Sequence, residues 1–409
     1  MSDWKSVKLR SVCNDEKDAF TDGDWIESPY ISKSGIRFIQ TGNIGIGTFN
    51  DSNKKFISEK TFEELKCTKI VPNDLLICRM ADPIGRACLA PSIEDRFITS
   101  VDVTIAKPNP KIADARFLMY RLNSDHTLSQ SKAVSAGSTR QRISRTELGN
   151  LTFLLPPLPE QSKIAEILST VDQVIELTEK EISRLEDLKK GMMCDLTYGR
   201  LEGGERTTWE NITTPKDWGY KTIGSILRQI ERPITLDDNA TYQLITVKRR
   251  NEGIVEREAL LGKKILVKNY FSLKKGDFVI SKRQIVHGAC EIVPPTLDGS
   301  VVSNEYDVFT GTEEMDIDFF NEFAKTPTMK EIFFRYSQGV DIEKMIFKTN
   351  WWLKQVIPVP PIEYQNKVVT ALKSVNTQIQ NRKSKLSSLQ SLKKALMNDL
   401  LTGKVRVKV

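Results

Sequence analysis

The chain repeats a 47-residue segment within itself. Residues 155–201 align without a gap on residues 359–405 at an offset of 204, and identical residues recur along the whole alignment. Identity of this extent at one fixed offset indicates an internal duplication, so the fold is expected to contain two copies of one structural unit. The identical pairs include Pro156/Pro360, Gln161/Gln365, Leu168/Leu372, Lys189/Lys393 and Gly199/Gly403.

The segments that precede each repeat correspond more loosely. "DWKSVKLRSV" (3–12) matches "DWGYKTIGSI" (217–226), and "PNDLLICRM" (72–80) matches "KGDFVISKR" (275–283). The chain order is therefore globular part, helix, globular part, helix. The predicted division is residues 1–153, 154–201, 202–356 and 357–409.

Both globular parts mix short β-branched runs with helical patterns, which predicts an α+β class with two mixed α/β domains. Helix candidates are residues 113–123 and 316–325. Strand candidates are residues 36–41, 74–79, 100–106, 242–247, 264–268 and 277–282.

Both repeated segments have the apolar spacing of a coiled coil. Apolar residues recur at alternating intervals of four and three, and a polar residue interrupts each series at the same place, Thr178 and Arg382. Prolines precede each helix, and Gly199 and Gly403 mark its expected end. The predicted pairing seam is Ile164, Leu168, Val171, Ile175, Ile182, Leu185, Val368, Leu372, Val375, Ile379, Leu386 and Leu389.

The two helices differ in charge. Residues 160–195 carry nine acidic and five basic side chains, whereas residues 363–399 carry two acidic and seven basic ones. Opposite charge favours pairing of the two helices with each other over self-pairing. We therefore predict an antiparallel coiled-coil pair, roughly 55 Å long at ~1.5 Å per residue, which holds the two domains apart about a pseudo-two-fold axis. The alternative is that each helix lies on its own domain.

Composition narrows the class of protein. The 409 residues carry a net charge of +7 with a mean hydropathy of −0.33, and neither a long apolar stretch nor an apolar N-terminal signal is present. The six cysteines show no CxxC spacing. These features predict a cytoplasmic protein with reduced thiols and no membrane partner.

No residue pattern typical of catalysis stands out. His126 and His287 are the only histidines, and neither has metal-ligand spacing. "GNIGIG" (42–47) has the wrong spacing for a dinucleotide site, and no phosphate-binding GxxxxGK[ST] motif occurs. The sequence therefore predicts a binding protein without a catalytic residue, a metal or a cofactor of its own.

Basic residues cluster locally. Residues 241–290 contain eleven basic and four acidic side chains, and "SAGSTRQRISR" (135–145) is a small-residue loop with three arginines. Such clusters suit phosphates and guanine edges, although a solvated charged face is the alternative. The candidate nucleic-acid contacts are Lys54, Lys55, Arg79, Arg140, Arg142, Arg145, Lys248, Arg249, Arg250, Lys263, Lys282 and Arg283.

The layout and motifs together resemble the specificity (S) subunit of type I restriction-modification systems, over essentially the whole chain. The most specific segments are "PLPEQSKIAEIL" with its copy "PPIEYQNKVVTAL", and the helix ends "LKKGMMCDLTYGRL" and "LKKALMNDLLTGKVRV". One departure is Tyr364, which stands where the first copy has Glu160.

The resemblance implies a function and a set of partners. Residues 1–153 and 202–356 would be target-recognition domains, each reading one half of a bipartite sequence in double-stranded DNA. The helices 154–201 and 357–409 would act as spacers and dock two modification (methyltransferase) subunits. Those subunits would use S-adenosylmethionine to methylate adenine, and restriction subunits would use ATP and Mg for translocation and cleavage.

Two other functions are weighed against this one. The chain could be an enzyme that combines recognition with methylation or cleavage, in which case the purified chain alone would methylate DNA. It could also be a scaffold whose coiled coil joins protein partners and whose domains bind peptides, in which case no sequence-dependent DNA binding would occur.

Overall fold

The protein folds into two compact units. The structure, a computed structural model, describes residues 4–93, 96–137, 140–266 and 269–408. Unit 1 comprises Met1–Glu179 and Ser384–Val409, and unit 2 comprises Lys180–Lys383. Each unit contains one globular lobe and a part of each long helix, so the predicted four-part division stays a prediction. Residues 5–155 are called lobe 1, and residues 206–359 are called lobe 2.

Lobe 1 alternates short strands with short helices and leads into the first long helix. Its strands are β1 (Lys5–Lys8), β2 (Phe20–Asp22), β3 (Ile36–Ile39), β4 (Lys55–Ile57), β5 (Leu75–Cys78), β6 (Ala87–Leu89), β7 (Phe97–Thr99), β8 (Val103–Ala106) and β9 (Thr152–Leu155). Its helices are α1 (Glu59–Glu64), α2 (Ala115–Leu122), α3 (Asp125–Ala133) and α4 (Arg145–Asn150), and α5 (Leu158–Thr197) follows.

Lobe 2 has more strands and leads into the second long helix. Its strands are β10 (Arg206–Trp209), β11 (Ile212–Pro215), β12 (Gly219–Thr222), β13 (Leu227–Gln229), β14 (Pro233–Ile234), β15 (Thr241–Val247), β16 (Ile254–Leu261), β17 (Tyr270–Ser272), β18 (Phe278–Ser281), β19 (Cys290–Ile292), β20 (Val301–Ser303), β21 (Tyr306–Gly311), β22 (Ser337–Gln338), β23 (Ile346–Phe347) and β24 (Val356–Val359). Its helices are α6 (Ile223–Ile226), α7 (Ile317–Ala324), α8 (Pro327–Arg335) and α9 (Thr349–Trp352), and α10 (Ile362–Leu401) follows.

Both lobes are built on the same sheet frame. Lobe 1 has an antiparallel sheet in the order β2-β8-β5-β6, and lobe 2 has its counterpart in the order β13-β21-β18-β19. The registers match, because Ile77 pairs with Thr104 and Ile280 pairs with Asp307. A second sheet, β4-β3-β7, corresponds to part of the five-stranded sheet β14-β17-β20-β15-β16. The predicted α+β duplication is confirmed.

Most predicted elements are present. The strand candidates 36–41, 74–79, 100–106 and 277–282 contain β3, β5, β8 and β18, the candidate 242–247 lies within β15, and the two helix candidates contain α2 and α7. The strand predicted at 264–268 is wrong at its start, because Lys264 ends a 3₁₀ turn, Gly262–Lys264. Residues 267 and 268 lie outside the described residues.

The two long helices pair in antiparallel orientation, as predicted. In unit 1 the beginning of α5 and the end of α10 enter one core, through Leu168 and Leu400. In unit 2 the end of α5 and the beginning of α10 enter another, through Tyr198 and Leu372. Oppositely charged pairs join the helices within each unit: Lys393 with Asp172 at 2.6 Å, Arg382 with Glu181 at 3.0 Å and Lys383 with Glu186 at 2.7 Å.

The seam residues are at least partly buried. Seven of them are buried inside the units: Ile164, Leu168, Ile182, Val368, Leu372, Val375 and Ile379. The other five, Val171, Ile175, Leu185, Leu386 and Leu389, are partly buried. The seam residues differ in burial because most of the fully buried ones lie where a lobe packs against the helix pair.

A glycine covered by a tryptophan lies two residues beyond the end of each long helix. Gly199 and Gly403 have φ of +61° and +73°, a left-handed conformation that glycine adopts without strain. A Cβ on Gly199 would lie 2.5 Å from the Trp218 ring, and one on Gly403 would lie 3.3 Å from the Trp4 ring. The tryptophans of the two "DW" segments therefore close the helix ends; Asp3 lies outside the described residues.

The glutamine after each proline pair joins a lobe to its helix. The Gln161 amide accepts a hydrogen bond from the Asp114 N–H at 2.9 Å and donates to the carbonyls of Ile112 and Pro156 at 3.0 and 2.9 Å. Gln365 makes the corresponding three bonds, to the Asp316 N–H and to the carbonyls of Glu314 and Pro360. Both glutamines are fully buried.

The neighbouring position differs between the copies, and its surroundings differ with it. In unit 1 the buried Glu160 carboxylate accepts from Trp4 Nε1 at 3.0 Å and from Arg406 at 2.6 and 2.8 Å. In unit 2 the ring of Tyr364 packs on Trp218 with centroids 5.5 Å apart, and its hydroxyl donates to Leu196 O at 2.9 Å.

A charge change accompanies the replacement of the glutamate by Tyr364. The repeat offset of 204 places Glu202 at the position of Arg406. Burial and the Glu202 carboxylate raise the pKa of Tyr364 to about 12, against the opposing effect of Arg206, so the phenol stays neutral. The counterpart of the Glu160–Arg406 ion pair is therefore missing in unit 2, and the neutral Tyr364 fills that position.

Replacing Gln161 by Leu should destabilise unit 1 strongly. The change removes three buried hydrogen bonds and leaves the Asp114 N–H without its partner, at a cost of about 3 kcal/mol. Urea denaturation of the wild type and of Gln161→Leu measures the effect. Gln173→Leu, at an exposed position of the same helix, should change the midpoint little; equal midpoints for the two variants would contradict the glutamine's role.

Acid should weaken unit 1 through Glu160. The hydrogen bonds from Arg406 hold the Glu160 pKa below its ordinary value of 4.5. This carboxylate therefore contributes stability that is present above pH 4.5 and is lost as the pH falls through the lowered pKa. Arg406→Gln should reduce stability at pH 7 and flatten its decline in acid, measured by unfolding between pH 7 and 3. Lys408→Gln is the control, and an unchanged acid decline in Arg406→Gln would overturn the assignment.

Candidate nucleic-acid interface

In lobe 1 an acidic residue organises the arginines at the end of β5. Arg79 is buried, and its guanidinium lies 3.0 Å from Asp22 and donates to Val101 O at 2.6 Å. Arg145, at the start of α4, lies 3.9 Å from the same carboxylate, which also accepts from Thr104 Oγ1 at 2.9 Å. Burial lowers the pKa of Arg79 and Asp22 opposes the shift, so the guanidinium stays charged.

The arginine loop joins this cluster. Arg142 lies 3.0 Å from Asp102 and donates to Val101 O, the carbonyl that Arg79 also contacts. Arg140 is exposed and has no ion-pair partner in the described part of the chain, while residues 138 and 139 of the same loop lie outside it. The structure thus brings Arg79, Arg142 and Arg145 together.

In lobe 2 the corresponding place has a different set of groups. Lys282 follows β18 as Arg79 follows β5, and its ammonium lies 3.6 Å from Asp307. Asp307 also accepts from Gln229 Nε2 at 3.3 Å and from the Thr349 hydroxyl. The carboxylate stands on β21 instead of on the first strand of the sheet. The same sheet position therefore carries a different arrangement of donors and acceptors in each lobe.

A second group in lobe 2 lies at the turn after β15. Arg249 pairs with Glu343 at 2.6 Å and donates to Gln284 Oε1 at 2.7 Å, and this pairing lowers the Glu343 pKa. Lys248 and Arg250 are exposed and form no ion pair among the residues the structure describes. The left-handed turn at Arg250, with φ of +60°, directs the chain into β16.

The remaining candidates are dispersed. Lys54 pairs with Asp51 at 2.8 Å, and Arg283 pairs with Glu305 at 2.5 Å beside Lys282. Lys55 lines a hollow of about 210 Å³ whose wall includes Asp102. Lys263 lies exposed in the 3₁₀ turn after β16. Whether any of the twelve touches DNA stays a prediction, and burial makes Arg79 the least suited of them.

Sequence reasoning missed two exposed tryptophans. Trp25 is 74 % exposed in the hollow that contains Lys55, and Trp351 is 51 % exposed beside Asn350, Lys282 and Arg283. Aromatic rings can contact bases by stacking, and amides can pair with base edges. A search for charge could not find them, and the pair Trp351-Trp352 reads as core in the sequence, although only Trp352 is buried.

The sequence of this chain is similar to those of several known proteins. Residues 1–187 match the family described as type I restriction modification DNA specificity domain. The putative type I restriction enzyme MjaX specificity subunit of Methanocaldococcus jannaschii is 26% identical, over 99% of this chain and 94% of its own length. The MjaVIII specificity subunit of the same organism is 27% identical, over 82% of this chain and 80% of its own length.

Solved structures show the same fold. The S subunit of a type I restriction-modification system from M. genitalium superposes with a TM-score of 0.58 at 16% identity, over 97% of this chain and 96% of its own. A chain from a type I restriction-modification assembly has a TM-score of 0.56 at 15% identity, over 99% of each chain. Among the described residues, no helix has the length and apolar character needed to cross a bilayer.

Two arginines of lobe 1 should behave differently when removed. Arg79→Ala leaves Asp22 without its buried partner and should reduce the free energy of unfolding by about 3 kcal/mol. Arg140→Ala should leave stability unchanged and, if Arg140 contacts a phosphate, reduce the slope of log affinity for duplex DNA against log salt by about 0.9. Denaturation and salt titration measure the two effects. A stable Arg79→Ala protein, or an unstable Arg140→Ala protein, would contradict these assignments.

Proposed function

We propose that this chain, which belongs to the specificity subunits of type I restriction-modification systems, reads a split sequence in double-stranded DNA for its complex. Lobe 1 would read one half of the target and lobe 2 the other. The family match covers residues 1–187, and the similarity to the MjaX subunit extends over both copies of the duplication.

One observation carries the division between the lobes. The two central sheets have the same strand order and the same register, but the polar groups at the end of their central strands differ. In lobe 1 two arginines share the Asp22 carboxylate, and in lobe 2 one lysine, an amide and a hydroxyl share Asp307. Equal frames with unequal polar surfaces are what two readers of different half-sites require.

The long helices would serve the complex in a second way. The buried Gln161 and Gln365 bond each lobe to its long helix, so each lobe is held in a fixed orientation on that helix. We propose that the exposed faces of the helices dock two modification subunits, with restriction subunits joining that assembly in the cytoplasm. S-adenosylmethionine, ATP and Mg would be bound by those partners, and the specificity subunit itself would perform no chemistry.

The scaffold function is not favoured. Its helix pair would look the same, but a peptide-binding role gives no reason for a match to a DNA specificity domain over the whole of lobe 1. The enzyme function requires the isolated chain to methylate or cut DNA, which a purified preparation tests directly.

The decisive experiment maps methylated adenine in cells that express this chain with its neighbouring methyltransferase. We expect a methylated motif with two defined halves separated by unspecified bases. Replacing residues 5–155 by the corresponding lobe of the MjaX subunit should change one half only. Replacing residues 206–359 is the matched exchange and should change the other. A contiguous motif, or a change of both halves by one exchange, would contradict the proposal.

A further inference from the structure

Lobe 2 has an open groove with the chemistry needed to read base edges. It has a volume of about 770 Å³ and lies between the ends of β18 and β21, the hairpin strands β22 and β23, and helix α9. Beside three carboxylates, the groove is lined by cations, amides and an aromatic ring, namely Lys282, Arg283, Gln338, Lys348, Asn350 and Trp351. Direct readout of the major groove uses cations, amides and apolar groups of this kind.

Much of the charge in this groove is already engaged by the protein. Lys282 pairs with Asp307, and Arg283 makes two bonds to Glu305 at 2.5 and 3.1 Å. The Asn350 side chain and the Trp351 indole are exposed and make no hydrogen bond within the described residues. Their polar and apolar surfaces are therefore available to a ligand.

The residues on either side hold Asn350 and Trp351 firmly in place. Thr349 is bonded through its hydroxyl to Asp307, and Trp352 is fully buried against Phe347 and Phe333, with ring centroids 5.4 and 5.7 Å away. The Lys348 carbonyl accepts from the N–H groups of Trp351 and Trp352. A side chain that contacts a base discriminates better when its backbone is held in place, because little conformational entropy is lost when the ligand binds.

Comparison with α4 of lobe 1 shows which side chains of α9 belong to the core that both lobes share. The offset of 204 places Leu148 at the position of Trp352, and both are fully buried. The two residues before it, Thr146 and Glu147 in lobe 1, stand where lobe 2 has the outward pair. The inward position is apolar in both copies, whereas the outward pair has changed completely in shape and charge.

Resting on the proposed function, we propose that Asn350 and Trp351 determine the specificity of lobe 2 for its half-site. The Asn350 amide can donate from its NH2 group to N7 of an adenine and accept from the adenine N6 amino group in the major groove. Trp351 packs its ring against the adjoining base pair, where a thymine methyl offers an apolar contact. The neighbouring Lys348, which also lines the groove, contacts the phosphate backbone beside this base pair.

Methyladenine mapping of single variants of the complex tests this inference. In Asn350→Thr, which introduces the residue of lobe 1, discrimination at one base pair of the lobe 2 half-site should fall on the order of tenfold to a hundredfold. Trp351→Ala should relax the adjoining base pair. The lobe 1 half-site should stay strictly selected in the same cells, which shows that the variant is folded. Asn366→Ala, at an exposed asparagine of α10, should leave both halves unchanged.

The outcomes separate this inference from the proposed function. A split wild-type motif that Asn350→Thr and Trp351→Ala leave unaltered would overturn the inference and leave the proposed function standing. Equal relaxation of both halves would also overturn it, because it indicates a general loss of affinity. A wild-type complex without a split motif would remove the premise itself.

Discussion

The buried amides of Gln161 and Gln365 are the contacts on which the architecture depends. Each glutamine lies in the first turn of a long helix and bonds to three backbone groups of its lobe: two just before α2 or α7, and the proline carbonyl that follows the last strand of the lobe. A buried amide with all three partners satisfied fixes the direction in which the long helix leaves the lobe. Because the same hydrogen bonds occur in both copies, both long helices leave their lobes through the same type of junction.

Around this junction the two copies differ in sequence, and the residues that contact each other have changed together. The buried Glu160 carboxylate pairs with the partly exposed Arg406 and bonds to Trp4, while Tyr364 packs on Trp218 and Glu202 stands at the position of the arginine. The shape of the junction is kept and its charge is not. The sheets also combine a shared backbone with changed charges. The strand register is the same, but the acid that pairs with the basic residues lies on β2 in lobe 1 and on β21 in lobe 2.

The duplication, the antiparallel helix pair and most strands could be predicted because they follow from local periodicity and from a repeat within one chain. The candidate interface could be predicted only in part. Charge identified Arg142, Arg145 and Lys282, but their partners Asp102, Asp22 and Asp307 depend on strand pairing that a sequence pattern does not reveal. Trp25 and Trp351 carry no signal of exposure, since aromatic residues are usually counted as core. Arg79 reads as a surface cation in the sequence and is buried in the fold.

The central claim is that one frame, used twice, reads two different DNA half-sites. Selection of bound duplexes from a fully randomised pool, with the complex of this chain and the proposed methyltransferase partner, tests it most directly. We expect two enriched blocks of different sequence separated by a gap of constant length and random composition. A single uninterrupted block, or two blocks of identical sequence, would contradict it.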